Sequence, residues 1–145
     1  MAFLEQQVLI KKPLDEVFHT AVDFTKRPEI MDMVIKVEPL TEGPVREGYK
    51  FKEVREIRGK KAAAVIEIVE FSPQKSFTAQ SEQNGLELRY HYHFLETSEG
   101  TRVTFKGELS TEGLRNSLFK PLIKKMIKKE DENHLENMKH YIEKQ

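Results

Sequence analysis

The sequence predicts an α+β fold: a curved antiparallel sheet of seven strands, with two short helices after the first strand and a long C-terminal helix. Between residues 33 and 109, short alternating segments are separated by turn sequences, with no room for crossover helices. From Thr111 onwards the apolar spacing becomes helical and continues to about Lys144, with no glycine after Gly113. A long helix that closes a curved sheet would leave a cavity between the two.

Length and composition narrow the class of protein. The 145 residues suffice for one domain, so we expect residues 1–145 to form a single unit. The 24 basic and 24 acidic residues balance, which gives no general attraction to nucleic acid, and the absence of cysteine excludes disulfides and zinc–sulfur sites. No signal-peptide pattern or apolar run of ~18 residues is present, so we expect a cytoplasmic protein without stable membrane insertion.

The N-terminal region predicts one strand followed by two short helices. Residues 2–10 alternate in polarity, as a strand does. Pro13 followed by Asp15 and Glu16 is typical of a helix start, because proline suits the first turn and acids favour the positive end of the helix dipole. Residues 23–32 contain apolar side chains around Pro28 and predict a second short helix or a loop.

Six further strands follow before the C-terminal helix. We place them at residues 33–38, 49–58, 62–71, 76–82, 86–95 and 102–109. A tight hairpin turn is expected at Arg58-Gly59-Lys60, and Asn84-Gly85 is a second hairpin signal. These spacings predict a meander in which neighbouring strands pair antiparallel.

The C-terminal helix carries two irregularities. Pro121 lies within the apolar pattern and disfavours helical geometry at the residue before it, which predicts a kink or a loose first turn. The apolar stripe of the second half is also rotated from that of the first, as expected for a helix that first covers a cavity and then packs on a sheet. A plain break near residues 129–131 is the alternative.

Polar residues fall on the predicted inner face of the sheet. Taking the more apolar face of each strand as the inner one places Glu53 and Arg55 inside the concavity, with Tyr90 and Tyr92 nearby. An apolar cavity with a few polar groups is typical of a small-molecule site. Two alternatives stay open: the charged pair extends to water at the sheet edge, or the tyrosines merely fill the core.

Ordered motifs along the chain resemble the START/birch-pollen-allergen-like superfamily, and within it the bacterial polyketide cyclase/dehydratase and lipid-transport branch. These are LDEVF at 14–18, EGYKFKEVR at 47–55, IVEFSP at 68–73, YHF at 92–94 and GTRVT at 100–104. The resemblance implies a helix-grip fold, in which the long helix lies across a seven-stranded sheet and covers a hydrophobic cavity. Members bind lipids, sterols, polyketides or quinones, and some are cyclases.

Three functions are therefore considered, in this order. The first is a carrier or sensor for a small hydrophobic ligand, and the second is a cofactor-independent cyclase or dehydratase in the same cavity. In the second, a carboxylate takes a proton next to a carbonyl while a guanidinium or hydroxyl stabilises the enolate. The third is a protein-interaction module with a filled cavity.

The candidate residues follow from the inner faces and the first half of the helix. The catalytic candidates are Glu53, Arg55 and Tyr90. We expect no metal and no other cofactor, and a protein partner stays open. The expected ligand contacts are Phe24, Met31, Phe51, Glu53, Arg55, Ile66, Phe77, Tyr90, Tyr92, Phe105, Leu118, Leu122 and Met126.

Two further motifs are assigned to solvent. His91-x-His93 has metal-ligand spacing, but the alternation points both rings outward and no third ligand is nearby. The lysines between residues 120 and 129 gather opposite the first apolar stripe and are followed at once by acids. A solvated face is favoured there over contact with an anionic membrane.

Overall fold

The computed structural model describes residues 2–145, and its centre is one antiparallel sheet. The strands are β1 (Leu4–Ile10), β2 (Val34–Pro39), β3 (Lys50–Ile57), β4 (Lys60–Ser72), β5 (Ser76–Gln83), β6 (Leu86–Thr97) and β7 (Gly100–Thr111). Their order across the sheet is β1-β7-β6-β5-β4-β3-β2, so every strand after β2 pairs with the one before it, and β1 closes against β7. This confirms the predicted seven-stranded α+β architecture.

Helical segments flank the sheet at both ends of the chain. They are α1 (Leu14–Ala21), a 3₁₀ turn (Phe24–Lys26), α2 (Arg27–Ile30), α3 (Leu114–Leu118), α4 (Lys120–Glu130) and α5 (His134–Glu143). The predicted helix after Pro13 is α1, and the segment left as a helix or loop forms the 3₁₀ turn and α2. The carboxylate of Asp23 caps the 3₁₀ turn by accepting from the backbone N–H of Thr25.

The two predicted hairpin turns have the expected backbone geometry. Arg58 and Gly59 have φ values of 54° and 79°, and Asn84 and Gly85 have values of 51° and 80°. Positive φ at both central residues defines a type I′ turn, whose twist matches that of the flanking strands. The turns set the register of β3 with β4 and of β5 with β6, and therefore which side chains face inward.

The C-terminal helical segment is interrupted twice. Phe119 separates α3 from α4, and residues 131–133 form a turn between α4 and α5. Pro121 lies in the first turn of α4, where a missing N–H leaves no helical hydrogen bond unmade. The helical segment is therefore interrupted next to Pro121, at Phe119, and also close to the break that the sequence left as the alternative. Beyond the second interruption, α5 buries Leu135, Met138 and Ile142, whereas α4 buries no residue, so the two halves of the apolar stripe have different environments.

Aromatic side chains fill one end of the sheet and leave the other end open. Phe18 of α1 packs against Phe94 with ring centroids 5.0 Å apart. Phe24 stacks on Phe51 at 4.5 Å, and Phe77 stacks on Tyr92 at 4.4 Å. Beyond these rings, towards the two type I′ turns, the inner face of the sheet carries smaller side chains. That end of the sheet holds the cavity.

Candidate functional site

A half-enclosed cavity of about 350 Å³ lies between strands β3–β6 and helix α4. Small and aliphatic side chains make up nearly half of its lining residues: Ile57, Ala62, Ala63, Ala64, Ile66, Ala79, Leu88, Met126 and Ile127. Polar groups line it as well, among them Arg27, Glu53, Arg55, Gln80, Tyr90, Tyr92 and Glu130. The arrangement is an apolar chamber with convergent polar side chains.

Alanines create the space on the sheet side. Ala64 of β4 pairs with Glu53 of β3, and Ala79 of β5 pairs with Tyr90 of β6, so each alanine lies beside a large polar residue. A methyl group in those positions fills far less of the concavity than the aromatic rings at the other end of the sheet. The cavity therefore depends on side-chain size at particular register positions.

Glu53 is held between two guanidinium groups. Arg27 Nη2 lies 3.3 Å from Glu53 Oε1, and Arg55 Nε lies 3.2 Å from the same oxygen. Burial by itself raises the pKa of Glu53, which is only 2% exposed, but the charges of Arg27 and Arg55 outweigh burial and hold that pKa below its ordinary value. A carboxylate stabilised in this way is a poor proton acceptor, which favours a role in fixing the two arginines.

Asp131 connects the turn between α4 and α5 to the cavity wall. Its carboxylate lies 3.6 Å from Arg55 Nη1 and accepts a hydrogen bond from the hydroxyl of Tyr90. Its backbone carbonyl accepts from Gln6 Nε2 of β1 at 2.7 Å. Burial and the Asp131 charge raise the pKa of Tyr90 well above its ordinary value, so this tyrosine stays protonated. The side chain of Asp131 and its backbone carbonyl therefore both attach the turn to the sheet.

Tyr92 and His134 form a second buried polar pair. Tyr92 Oη and His134 Nε2 are 2.7 Å apart. Burial, reinforced by the charges of Arg27 and Arg55, lowers the pKa of His134 well below 6.5, and the imidazole is therefore neutral at pH 7. Among residues 2–145, the buried side-chain nitrogens without a hydrogen-bond partner are Arg27 Nε and His134 Nδ1.

Glu130 is the carboxyl group with the opposite pKa behaviour. It lies at the C-terminal end of α4, lines the cavity, and has Oε1 3.8 Å from Arg55 Nη1. Burial raises its pKa above the ordinary value; Arg55 partly opposes the rise and Asp131 adds to it. A carboxyl group that gives up its proton less readily, in contact with cavity space, is better suited to exchange a proton with a ligand than Glu53 is.

The structure distributes the sequence-predicted contacts among three environments. The predicted residues that line the cavity are Phe51, Glu53, Arg55, Ile66, Tyr90, Tyr92 and Met126. The predicted residues buried in the core away from the cavity wall are Phe24, Met31, Phe77 and Phe105. Leu118 and Leu122 are 72% and 63% exposed and contribute to neither environment. The three catalytic candidates do converge, through Arg55 and Asp131.

Four ionisable residues of the site were not predicted from the sequence. Arg27 lies in the apolar segment before Pro28, and Glu130 and Asp131 belong to an acidic run that is typical of a solvent-facing segment. Local pattern gives no signal for these three. His134 was detectable, because it precedes Leu135 and lies four residues before Met138, on the same apolar stripe.

The histidines of β6 lie outside this site. His91 Nδ1 is 2.9 Å from Thr78 Oγ1, and its Nε2 contacts Glu108 on the outer face of the sheet. Within the part of the chain that the structure describes, no group of histidine and acidic residues is arranged to hold a metal ion. The outward orientation agrees with the alternation of β6.

Fold and cavity together define a helix-grip protein with a cavity between the sheet and the C-terminal helical segment. Residues 1–143 match the family model described as polyketide cyclase / dehydrase and lipid transport, so the chain belongs to that family. This confirms the resemblance inferred from the sequence motifs. No curated protein sequence matches the chain significantly.

Solved structures support the fold assignment. The protein TTHA0849 from Thermus thermophilus is 19% identical with a TM-score of 0.76, over 96% of this chain and 95% of that one. The Zhui aromatase/cyclase from Streptomyces sp. R1128 is 13% identical with a TM-score of 0.74, over 97% and 92% of the chains. Ara h 8.0201 is 15% identical with a TM-score of 0.73, over 98% and 97%. At these identities the similarity establishes the fold alone.

Proposed function

We propose that this protein is a carrier or sensor that binds one small, largely apolar molecule in the cavity between sheet and α4. The observation that carries the proposal is the composition of the cavity wall: alanine, isoleucine, leucine and methionine side chains surround a confined set of polar groups. Known ligand sites combine these features, because apolar walls provide affinity and a few polar groups provide orientation. Membership of the family supports the same proposal.

The size of the cavity favours a compact ligand. Its volume of about 350 Å³ lies at the lower end of the range of roughly 300–1,000 Å³ for small-molecule sites. A polycyclic or quinone-like molecule with few rotatable bonds suits such a space better than a long acyl chain does, because ordering a flexible chain costs conformational entropy.

The charges around the cavity favour an uncharged polar group on the ligand. Arg27 and Arg55 face the carboxyl groups of Glu53, Asp131 and Glu130, so neither guanidinium lacks a compensating anion. A ligand carboxylate would add negative charge to a site that is already compensated. A carbonyl oxygen that accepts from Arg55, or a hydroxyl that donates to Glu130, fits without that penalty.

The experiment is native mass spectrometry of freshly purified protein, followed by organic extraction of bound material. We expect a small apolar compound to co-purify with the wild type and to be lost in Ala64→Leu, which fills the cavity. Val65→Leu is the matched control, because Val65 is 49% exposed and alternates away from Ala64. Apo protein that shows no thermal shift with fatty acids, quinones or flavonoids would overturn the proposal.

A second candidate function is proton transfer on a bound carbonyl compound, as in a cofactor-independent cyclase or dehydratase. The observation that favours it is the contact of Glu130 with Arg55 in the cavity wall. In this role the Glu130 carboxylate removes a proton from the carbon next to a ligand carbonyl, and Arg55 stabilises the enolate oxygen.

Deuterium incorporation separates this enzyme from the carrier. For a bound carbonyl compound in D₂O, the enzyme predicts exchange of the α-hydrogen that Glu130→Gln abolishes while the ligand still binds. Binding without exchange in the wild type supports the carrier. The interaction-module alternative receives no support from the open cavity.

A further inference from the structure

Helices α3 and α4 expose an apolar surface that nothing in the described chain covers. Neither helix has a buried residue. The exposed large apolar residues of this surface are Leu114 (88% exposed), Leu118 (72%), Phe119 (47%) and Leu122 (63%), together with Met126 (58%), which also lines the cavity. Single exposed apolar residues are ordinary, but a contiguous group on one helical segment marks an interaction site. We call this surface the α3–α4 face.

The same segment concentrates positive charge. The whole chain has 24 basic and 24 acidic residues, yet residues 113–129 contain no aspartate or glutamate. The basic residues in this stretch are Arg115, Lys120, Lys124, Lys125, Lys128 and Lys129. A chain with no formal net charge therefore carries a local excess of six positive charges beside this exposed apolar surface.

Within α4, two of the five lysines share a side with the exposed Leu122, whereas Lys124 Nζ lies 6.0 Å from the centre of the Phe3 ring. At ~100° per residue, Leu122, Lys125 and Lys129 lie within about 60° of one another around the helix axis, and all three are exposed. Ile127 and Glu130 lie towards the cavity and line it. The helix therefore presents one side to the cavity and a mixed lysine–leucine side to the surroundings.

The combination of apolar and basic side chains indicates which kind of partner the α3–α4 face can bind. Phosphate backbones of nucleic acids would attract the lysines but would not bury the leucines. A second copy of the face would bury the leucines but would oppose six like charges. An anionic lipid surface satisfies both, because the apolar side chains enter the interface while the lysines contact the headgroups.

We propose that the α3–α4 face docks reversibly on anionic lipid bilayers and thereby places the cavity beside the membrane. The eleven residues of α4 span roughly 16 Å, which suits a helix lying in the plane of the interface. None of the described helices is long and apolar enough to cross a membrane. The inference stands on the surface alone and does not require the proposed ligand.

The test uses the full chain and two kinds of vesicle. We expect co-sedimentation with vesicles of equal parts phosphatidylcholine and phosphatidylglycerol, weakening as salt is added, and little with phosphatidylcholine alone. The double variant K125Q/K129Q removes two exposed charges and is expected to bind at least roughly tenfold more weakly, because each interfacial lysine contributes about fivefold. K50Q/K52Q is the control of equal charge, since Lys50 and Lys52 are exposed on β3.

Tryptophan fluorescence reports which surface meets the lipid. The chain contains no tryptophan, so Leu118→Trp introduces a single probe on the α3–α4 face and Val65→Trp introduces one on the sheet. We expect a blue shift with anionic vesicles for the helix probe and none for the sheet probe. Both positions are exposed, and unchanged thermal unfolding will verify the fold of each variant.

Three results would overturn the proposal. The first is absence of binding to the anionic vesicles. The second is equal weakening by K125Q/K129Q and K50Q/K52Q, which would mean general charge attraction without a defined face. The third is a concentration-dependent dimer that Leu118→Ser together with Leu122→Ser converts to monomer, which would make a second copy the occupant of the face.

Discussion

Helices α4 and α5 are both amphipathic and adjacent in the chain, yet the fold uses them differently. In α5, Leu135, Met138 and Ile142 are each no more than 3% exposed, whereas α4 buries no residue. Helix α5 is also tied to the first strand: Lys139 Nζ donates to the carbonyl of Leu9 at 2.9 Å. Similar amphipathic patterns therefore do not specify similar burial.

The difference divides the C-terminal helical segment into a helix that packs in the core, α5, and a helix that lines the cavity, α4. A helix gains most of its stability in a protein from tertiary packing of its apolar face, and α5 has that packing against β1. Helix α4 meets the cavity instead, through Met126, Ile127 and Glu130. Because α4 buries no residue, its attachment to the rest of the protein is weaker than that of α5, as the proposed ligand binding and membrane docking require.

The largest expected effect is a loss of stability when a buried leucine of α5 is shortened, compared with an exposed leucine of α4. Leu135→Ala in α5 should lower the free energy of unfolding by about 2–5 kcal/mol, because it leaves a cavity in a packed core. Leu122→Ala in α4 is the matched control and should change it by no more than about 0.5 kcal/mol, because that side chain is already in water. Urea unfolding of both variants measures the difference, and equal losses would contradict the division of roles.

A pH effect is expected at the start of α5. The buried neutral His134 has a folded-state pKa well below 6.5, so below that pH the unfolded chain binds a proton that the folded protein excludes. The contribution of neutral His134 to the free energy of unfolding is therefore fully present above pH 6.5. It declines as the pH falls, by at most about 1.4 kcal/mol per pH unit. Unfolding free energies from pH 7.5 down to about pH 5 measure it.

The variant His134→Gln isolates this effect from that of other histidines. It keeps a polar partner for Tyr92 but removes the titrating group, so its stability should fall less steeply over the same pH range. Identical slopes for wild type and variant would show that His134 is not the responsible group. If His134 is the responsible group, amide hydrogen exchange at acid pH should show local unfolding of α5 in the wild type and not in the variant.

The smallest effect is expected at the interruption between α3 and α4. Pro121→Ala restores a backbone N–H in the first turn of α4, where no helical acceptor exists for it. We expect a change in unfolding free energy within about 0.5 kcal/mol and the same helix content by circular dichroism. A gain in helicity would instead mean that Pro121 causes the interruption at Phe119.

The local sequence determined most of the sheet. Alternation identified the strands, the Arg58-Gly59 and Asn84-Gly85 pairs set two registers, and together they placed Glu53 and Arg55 on the inner face. These features follow from short-range rules, since side chains in a strand alternate between faces and type I′ turns require particular residues. The motif order also identified the family correctly.

Only the tertiary structure decided which residues meet. Arg27 of α2 meets Glu53 of β3, and Asp131 of the turn after α4 meets Arg55 of the same strand. Both contacts depend on how these elements pack. Periodicity shows that a face is apolar but not whether another element covers it. For that reason the same helical pattern predicted burial for Leu122 and for Leu135, while the sheet lies beneath only the second.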